Sequence, residues 1–495
     1  MKKSINFVNG ETLWFVGLYV ASRLFLALIP GYTYDLKEFA LWGGALLRGE
    51  NPYDVFPTSP QGFLTLKYPP LFYVASAAVV AAFGTTSFGL KVGLLCFDAA
   101  TVLVLWRVLE LLPWRRDRGE RGRAPPLAPL YLYSFATPCL SVWFHGLPEV
   151  MALFFLVLGT FFHLKRHEFA AGLSWGTGFM IELYPLLSAF PVAVACLANR
   201  RWKRLFRLLL GLATAVFLAG LPFYLTSPTT FAFNFAVHFS RFPRALSLWQ
   251  FVQPLVAWDL TDVFGVVTLS PVGVTLLGFA STLGVACYLR AKAGPADDRF
   301  VLAWSAALYA LLPLTQLSLF FRYFTWAAPS ICLFSSNEPA DVKRLRGVAT
   351  FTTAVLAAFA AVSLVIWPWL TFSPVTSFDT ENTTYWFLFD VYGAVTVPLV
   401  FAWVVARRPT IRLQGLEGTR ELRVATLLGG CSLSFATQTY LYFNHYNSVA
   451  FVLGYSVTLV GTLGVVGWFG WNLASLGKRA DDVGKLLMDS SHSQS

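Results

Sequence analysis

The sequence predicts an all-α polytopic membrane protein, and three observations predict it. Over 495 residues, 56% are hydrophobic and only 13% are charged, whereas a soluble globule carries about 25% charged residues. Apolar runs of about 18 residues or more recur from one end of the chain to the other, each long enough to cross a hydrocarbon core of about 30 Å as a helix. The basic residues behind the net charge of +11 lie in short clusters between those runs, as cytoplasmic loops do. Inside lipid only helices of this length satisfy their own backbone. The expected architecture is one integral-membrane domain, 1–495, of about 12–14 transmembrane helices, with juxtamembrane helices in the first outer loop. The basicity is read as topology, and no nucleic-acid partner is expected.

Taken in order, the first run at 12–29 follows Lys2 and Lys3 but is interrupted by Arg23 and lacks a convincing cleavage site, so it reads as an uncleaved anchor. With the amino terminus inside, further spans fall near 88–113, 127–144, 149–164, 169–183, 185–198, 206–225, 265–289, 299–317, 322–335, 347–370, 385–405, 424–442 and 447–474. That order puts the basic clusters at 115–123, 165–166, 200–207, 290–292, 343–346, 407–408 and 478–479 on one side, the cytoplasm. The apolar segment 70–83 spans only about 21 Å as a helix, so it is placed on the outer leaflet beside the membrane. Tyr184-Pro185 breaks the next apolar stretch, because proline restricts its predecessor and has no N–H to donate; 169–183 and 185–198 then enter and leave on the same side. Two outer loops result, from Tyr32 to about Ser87 and from Thr226 to about Phe264. The tail 478–495 is polar and expected to be disordered in the cytoplasm. Six cysteines are scattered singly without metal-ligand spacing, which suits small core residues, and no metal is predicted.

The outer loops hold the candidate chemistry. Asp35 follows the first span within a few residues, at the headgroup level. A carboxylate there can take a proton from an acceptor hydroxyl while the oxygen attacks an anomeric carbon; the alternative is an N-cap for a loop helix starting near Leu36. Glu38 lies close by. His145 to Glu149 forms a tight outer junction, where Glu149 could bind acceptor hydroxyls or simply complement a helix N-terminus. Glu182 sits beside the Tyr184-Pro185 break. His238, Arg241 and Arg244 form an outer basic cluster, and Arg322 stands in an aromatic setting suited to bidentate phosphate binding or to snorkelling. A phosphate leaving group departs without protonation if cations neutralise it, so these arginines are the expected donor contacts. Within the membrane, Arg23 and Asp98 lie about 9 and 15 Å below the outer surface by helical rise, and a structural ion pair between them is predicted.

The ordered string Asp35, Leu46-Leu47-Arg48-Gly49-Glu50-Asn51-Pro52-Tyr53 and Lys67-Tyr68-Pro69-Pro70-Leu71 resembles the first outer loop of GT-C glycosyltransferases. It looks most like the polyprenol-phosphate-mannose-dependent mannosyltransferases. The resemblance extends in outline over 12–335, leaving 336–477 as additional C-terminal transmembrane helices. Glu149 matches the position of a second acidic residue, and 172–185 resembles a segment that usually carries lysine where Glu182 stands here. The resemblance implies a GT-C-like bundle with Asp35 as catalytic base and Tyr68 at the substrate site. It further implies inversion at the sugar carbon, a polyprenyl or dolichyl monophosphate sugar as donor, mannose as the sugar, and a lipid- or protein-linked glycan as acceptor. No cofactor is implied beyond the lipid-phosphate donor. A polytopic transporter or lipid-linked-sugar flippase remains the rival, since intramembrane Arg23, Asp98 and Glu182 suit it equally.

Overall fold

The computed structural model describes residues 10–30, 33–55, 68–112, 127–135, 142, 146–232, 244–245, 284, 287–288, 291, 297–310, 318–319, 326, 328–335, 342–366 and 368–375. The spans expected at 385–405, 424–442 and 447–474, and nearly all of 265–289, lie outside these residues. The described chain is helical apart from one two-residue strand pair. Four of its helices are long and apolar enough to cross a membrane. Its lipid-facing surfaces and composition together make it an integral, multi-pass membrane protein.

Helix α1 (Gly10–Leu28) buries Phe15, Leu18, Tyr19, Ser22, Arg23 and Leu26, a stripe at three- and four-residue spacing. The opposite face exposes Leu13, Trp14, Val16, Val20 and Leu24, too much contiguous apolar surface for water. The loop expected on the outer side holds α2 (Thr33–Leu47) and the single turn α3 (Pro52–Val55). Helix α4 spans Pro70–Phe83 with proline at its first position, where no N–H is needed. These are the bounds expected of the short juxtamembrane segment. Helices α2 and α4 meet backbone to backbone: a β-carbon on Gly43 would fall 2.7 Å from the Ser76 carbonyl oxygen. Helix α5 (Ser87–Leu111) opens on Thr86, whose side chain accepts from Gly89 N–H at 3.0 Å.

Helix α6 (Ala128–Phe135) is the described part of the next span. Helix α7 (Glu149–Leu164) runs back towards the basic end. Helices α8 (Glu168–Phe179) and α9 (Leu186–Ala198) form the expected hairpin. With 12 and 13 residues they rise about 18 and 20 Å, less than the roughly 30 Å of a hydrocarbon core, and the chain reverses between them at 180–185. Helix α10 (Trp202–Thr226) returns to the outer loops. It buries Leu205, Leu208, Ala215 and Ala219 while exposing Phe206, Leu209, Phe217, Leu218 and Leu225. Later come β1 (Arg244–Ala245), α11 (Asp298–Ala310), β2 (Ser318–Leu319), α12 (Ala328–Ser335), α13 (Val342–Ile366) and α14 (Pro368–Phe372). The span expected at 347–370 is described as α13 up to Ile366 and as α14 from Pro368. In α14, Thr371 donates to the Leu28 carbonyl at 3.0 Å.

Two apolar cores organise the bundle. The larger unites α1, α2, α4, α5, α6 and α7 with Ile181, Tyr184 and Trp326; the smaller packs α8 and α9 against α10 and α11. Inside the first core Arg23 meets Asp98 at 3.1 Å, as predicted. Asp98 also accepts from Tyr19 at 2.5 Å and Tyr133 at 3.3 Å, so both charges reside in a buried, hydrogen-bonded network. Antiparallel to α1, α5 also lends Lys91. Fully buried, its ammonium donates to the carbonyls of Leu26 at 2.9 Å and Ile29 at 2.7 Å. A cation there satisfies the C-terminal carbonyls of α1 and complements its dipole.

Candidate active site

Four chain segments converge where the first outer loop meets the membrane helices. The start of α4 is tied to the hairpin tip by Leu71 N–H, which donates to the Met180 carbonyl at 2.9 Å. The tip is tied to the start of α7 by the Tyr184 hydroxyl, which donates to the Glu149 carbonyl at 2.9 Å. Trp326 stacks on the Tyr184 ring at 4.1 Å, and Tyr309 donates to the Tyr184 carbonyl at 3.2 Å. The start of α2 joins through Leu36: Gly146, at φ 72°, sits so close that an added β-carbon would fall 2.8 Å from a Leu36 methyl. Only glycine combines that backbone angle with that proximity.

Local chemistry explains the loop's motif. Arg48 and Glu50 pair through two hydrogen bonds of 3.1 and 2.7 Å across the Gly49 turn, and the Arg48 hydrogen bond holds the Glu50 carboxyl below its ordinary value. Asn51 caps α3, its side-chain oxygen accepting from Tyr53 N–H at 3.0 Å. Its amide donates to Thr226 at 2.6 Å and Ser227 at 3.0 Å, and Ser227 donates in turn to the Asp54 carboxylate. Gly49 to Asp54 therefore staples the outer loop to the end of α10. Tyr53 then inserts among Tyr73, Phe223 and Phe231, with ring centroids 5.4 to 5.6 Å away.

Asp35 stands in the first turn of α2, two residues after its start, rather than ahead of a helix beginning near Leu36; its side chain lies outside the described residues. Glu38, one turn further, is wholly buried between α2 and α4. It lies near Tyr73, whose hydroxyl is pushed well above its ordinary value by burial and by the neighbouring Tyr53 and Glu38. Glu38 therefore sits behind the α2–α4 contact rather than at an open mouth. Glu149 is the first residue of α7 and only 2% exposed, so its carboxylate and the dipole of α7 lie together. Glu182 is half-buried on the hairpin tip. Tyr68 packs on Phe72 at 4.1 Å and its carbonyl accepts from Tyr53 at 3.3 Å.

Of the expected cations, Arg244 is described in backbone only. It pairs in parallel with Ser318, and Ala245 with Leu319, which ties the second outer loop to the chain just before Arg322. His145, His238, Arg241 and Arg322 lie outside the described residues. Among the described residues no three His, Cys, Asp or Glu side chains group as a metal site.

Sequence reasoning missed Lys91 and Tyr73. Lys91 lies two helical turns before Asp98, on the same face, a spacing that marks a second buried polar anchor on α5. Tyr73 has no such signal in a plain apolar run.

No family model and no curated protein matches the chain. Among solved structures, the chain is similar to ArnT from Cupriavidus metallidurans in the apo state, at 15% identity over 92% of this chain and 78% of that one, with a TM-score of 0.47. It is similar also to ArnT from Cupriavidus metallidurans bound to undecaprenyl phosphate, at 15% identity over 92% of this chain and 78% of that one, with a TM-score of 0.44. Likeness at that level assigns no site.

Proposed function

We propose that the protein is an integral-membrane glycosyltransferase of the GT-C type. It would take a sugar, mannose by resemblance, from a polyprenyl or dolichyl monophosphate and transfer it to a glycan or glycolipid on the extracytoplasmic face. The observation that carries this reading is the convergence of four starts and turns at one end of the bundle: α2 with Asp35, α7 with Glu149, the hairpin tip with Glu182, and α4 behind Tyr68. Helices α8 and α9 are each shorter than a hydrocarbon core, which supports approach of a substrate to this end from the side with its acyl chain still in lipid.

In the proposed reaction Asp35 accepts the proton of the acceptor hydroxyl as that oxygen bonds to the anomeric carbon. The bond from that carbon to the phosphate oxygen breaks with its electron pair, giving an inverted glycoside and a polyprenyl phosphate. Guanidinium groups stabilise that oxyanion, with Arg241, Arg244 and Arg322 as candidates. Glu149 and Glu182 are suited to acceptor hydroxyls.

The transporter reading loses one of its supports, since Arg23 and Asp98 are engaged with each other and with two tyrosines rather than lining a path. Reconstituted vesicles with radiolabelled dolichyl-phosphate mannose and a glycolipid-containing extract test the reading. Transfer of label with release of dolichyl phosphate is expected. Movement of intact donor between leaflets without release would replace the transferase by a flippase.

A further inference from the structure

At the opposite, basic end of the bundle a second polar cluster surrounds a cavity that the transfer reaction does not use. Two tight turns meet there, closed by Arg166 at φ 68° and Arg200 at φ 52°, with the start of α11 beside them. Arg166 holds Asp298 through two bonds of 2.8 Å. Arg204 pairs with Glu168, and Glu168 also engages His163 Nδ1 at 3.0 Å. Between them lies a cavity of about 240 Å³, lined by His163, Cys196, Arg201, Arg204, Asp297 and Asp298 among others. At about 30 Å³ per water it has room for about eight such volumes.

The ion pairs leave three groups unspent. Arg201 and Asp297 stand exposed at the rim; Asp297 accepts the Phe300 N–H at 3.1 Å through Oδ1, which leaves Oδ2 to a ligand. His163 is 95% buried by its 5% exposure, and its Nε2 has no hydrogen-bond partner among the described residues. The nearest acid oxygen, Asp298 Oδ1, is 3.7 Å away. In the neutral tautomer that donates Nδ1–H to the Glu168 carboxylate, Nε2 presents a lone pair. Two acceptors then face each other across a gap that a donor would close. One free guanidinium, one free carboxylate and an imidazole acceptor call for a ligand that bears both an oxyanion and an ammonium. The lining carries three arginines and two aspartates, Arg166, Arg201, Arg204, Asp297 and Asp298, so an oxyanion and an ammonium both find a counter-charge there.

We propose that this cavity binds the phosphoethanolamine headgroup of a membrane lipid, with the phosphodiester on Arg201 and the ammonium between His163 Nε2 and the Asp297–Asp298 pair. A lipid is the source favoured by what lies next to Arg201: Trp202 is 60% exposed and Phe206 65%, followed by exposed Leu209 and Leu210. That apolar face can lie along acyl chains, with tryptophan at the interface depth it prefers. The site is distinct from the proposed transfer site, and its test does not depend on that reaction.

The test is native mass spectrometry of the full chain in detergent, titrated separately with dioleoyl phosphatidylethanolamine, phosphatidylcholine, phosphatidylglycerol and soluble phosphoethanolamine. Phosphatidylethanolamine should bind best, because choline has no N–H and phosphatidylglycerol no ammonium. Arg201→Gln should weaken it about fivefold, the worth of one basic residue at a lipid surface. Asp297→Asn, which can still cap α11, should weaken it similarly. Equal binding of the three lipids, or no loss in both variants, would overturn the proposal, and binding of soluble phosphoethanolamine alone would overturn the lipid as its source. In the unmodified protein, phosphatidylethanolamine should also slow alkylation of Cys196 by a small maleimide, read by peptide mass spectrometry; an unchanged rate would contradict occupancy of the cavity.

Discussion

Asp98→Asn is a nearly isosteric change that isolates one charge in the buried network. Asparagine's single amide oxygen can still accept from Tyr19, which lies 2.5 Å from Asp98 Oδ2, and its NH2 can donate to the Tyr133 hydroxyl oxygen, 3.3 Å from Oδ1, so the main loss is the anion opposite Arg23. At the observed 3.1 Å and an effective dielectric of about 20, the Coulomb energy is about 5 kcal/mol. Arg23 is fully buried, so its guanidinium would be stranded without water, for which about 3–5 kcal/mol is the usual cost. Unfolding in mixed detergent micelles, followed by circular dichroism, would read this as a loss of that size. Arg23→Met combined with Asp98→Asn should recover much of it, because no stranded charge remains. A single-variant loss below about 1 kcal/mol, or single-variant losses that add to within about 0.5 kcal/mol in the double variant, would refute the claim that the two charges depend on each other.

Gly43→Ala should cost about 1–3 kcal/mol in the same unfolding measurement, since its methyl would meet the Ser76 carbonyl oxygen at 2.7 Å and push α2 off α4; a neutral result would mean the two backbones are not in contact. At the basic end, burial alone would raise the Glu168 carboxyl, but hydrogen bonds from His163 and Arg204 and the charge of the Arg204 guanidinium outweigh it and hold it below its ordinary value. The unfolded value is about 4.3, so the stabilisation is complete above about pH 5 and is lost as pH falls through the lowered folded value. The stability gap between wild type and Glu168→Gln, about 1–3 kcal/mol at pH 7, should therefore shrink in acid; a gap that widens there would reverse the sign. Gly146→Val should distort the α2–α7 contact, because it meets both a positive φ and the Leu36 side chain. Transfer activity should fall while the circular dichroism spectrum is retained, and unchanged activity would separate this turn from the site.

Much of the bundle was legible in sequence because lipid imposes a strict rule on length. The 70–83 segment is too short to span, and the helix found there keeps the same bounds. Tyr184-Pro185 marked the hairpin because proline removes a backbone donor, and α8 and α9 do flank it. The Arg23–Asp98 pair was legible for a related reason: two charges at similar depth in hydrocarbon require each other. Less visible was whatever depends on the packing of distant segments. Glu38 looked like a mouth residue, yet its helix face turns towards α4 and buries it. For Lys91 the spacing from Asp98 marks a buried position but not its partners, which are backbone carbonyls that residue type does not reveal. The Gly49 to Asp54 motif was noticed as a string, but its role as a staple emerged only when Thr226 and Ser227 were found across from it.

The central claim, glycosyl transfer by an acid at the start of α2, is tested most directly by kcat for Asp35→Asn against wild type, with a saturating polyprenyl-phosphate sugar and a fixed acceptor. Loss of the general base predicts a fall of about 10²- to 10⁴-fold with little change in KM for the donor. An Asp35→Asn protein that transfers at the wild-type rate would contradict the account.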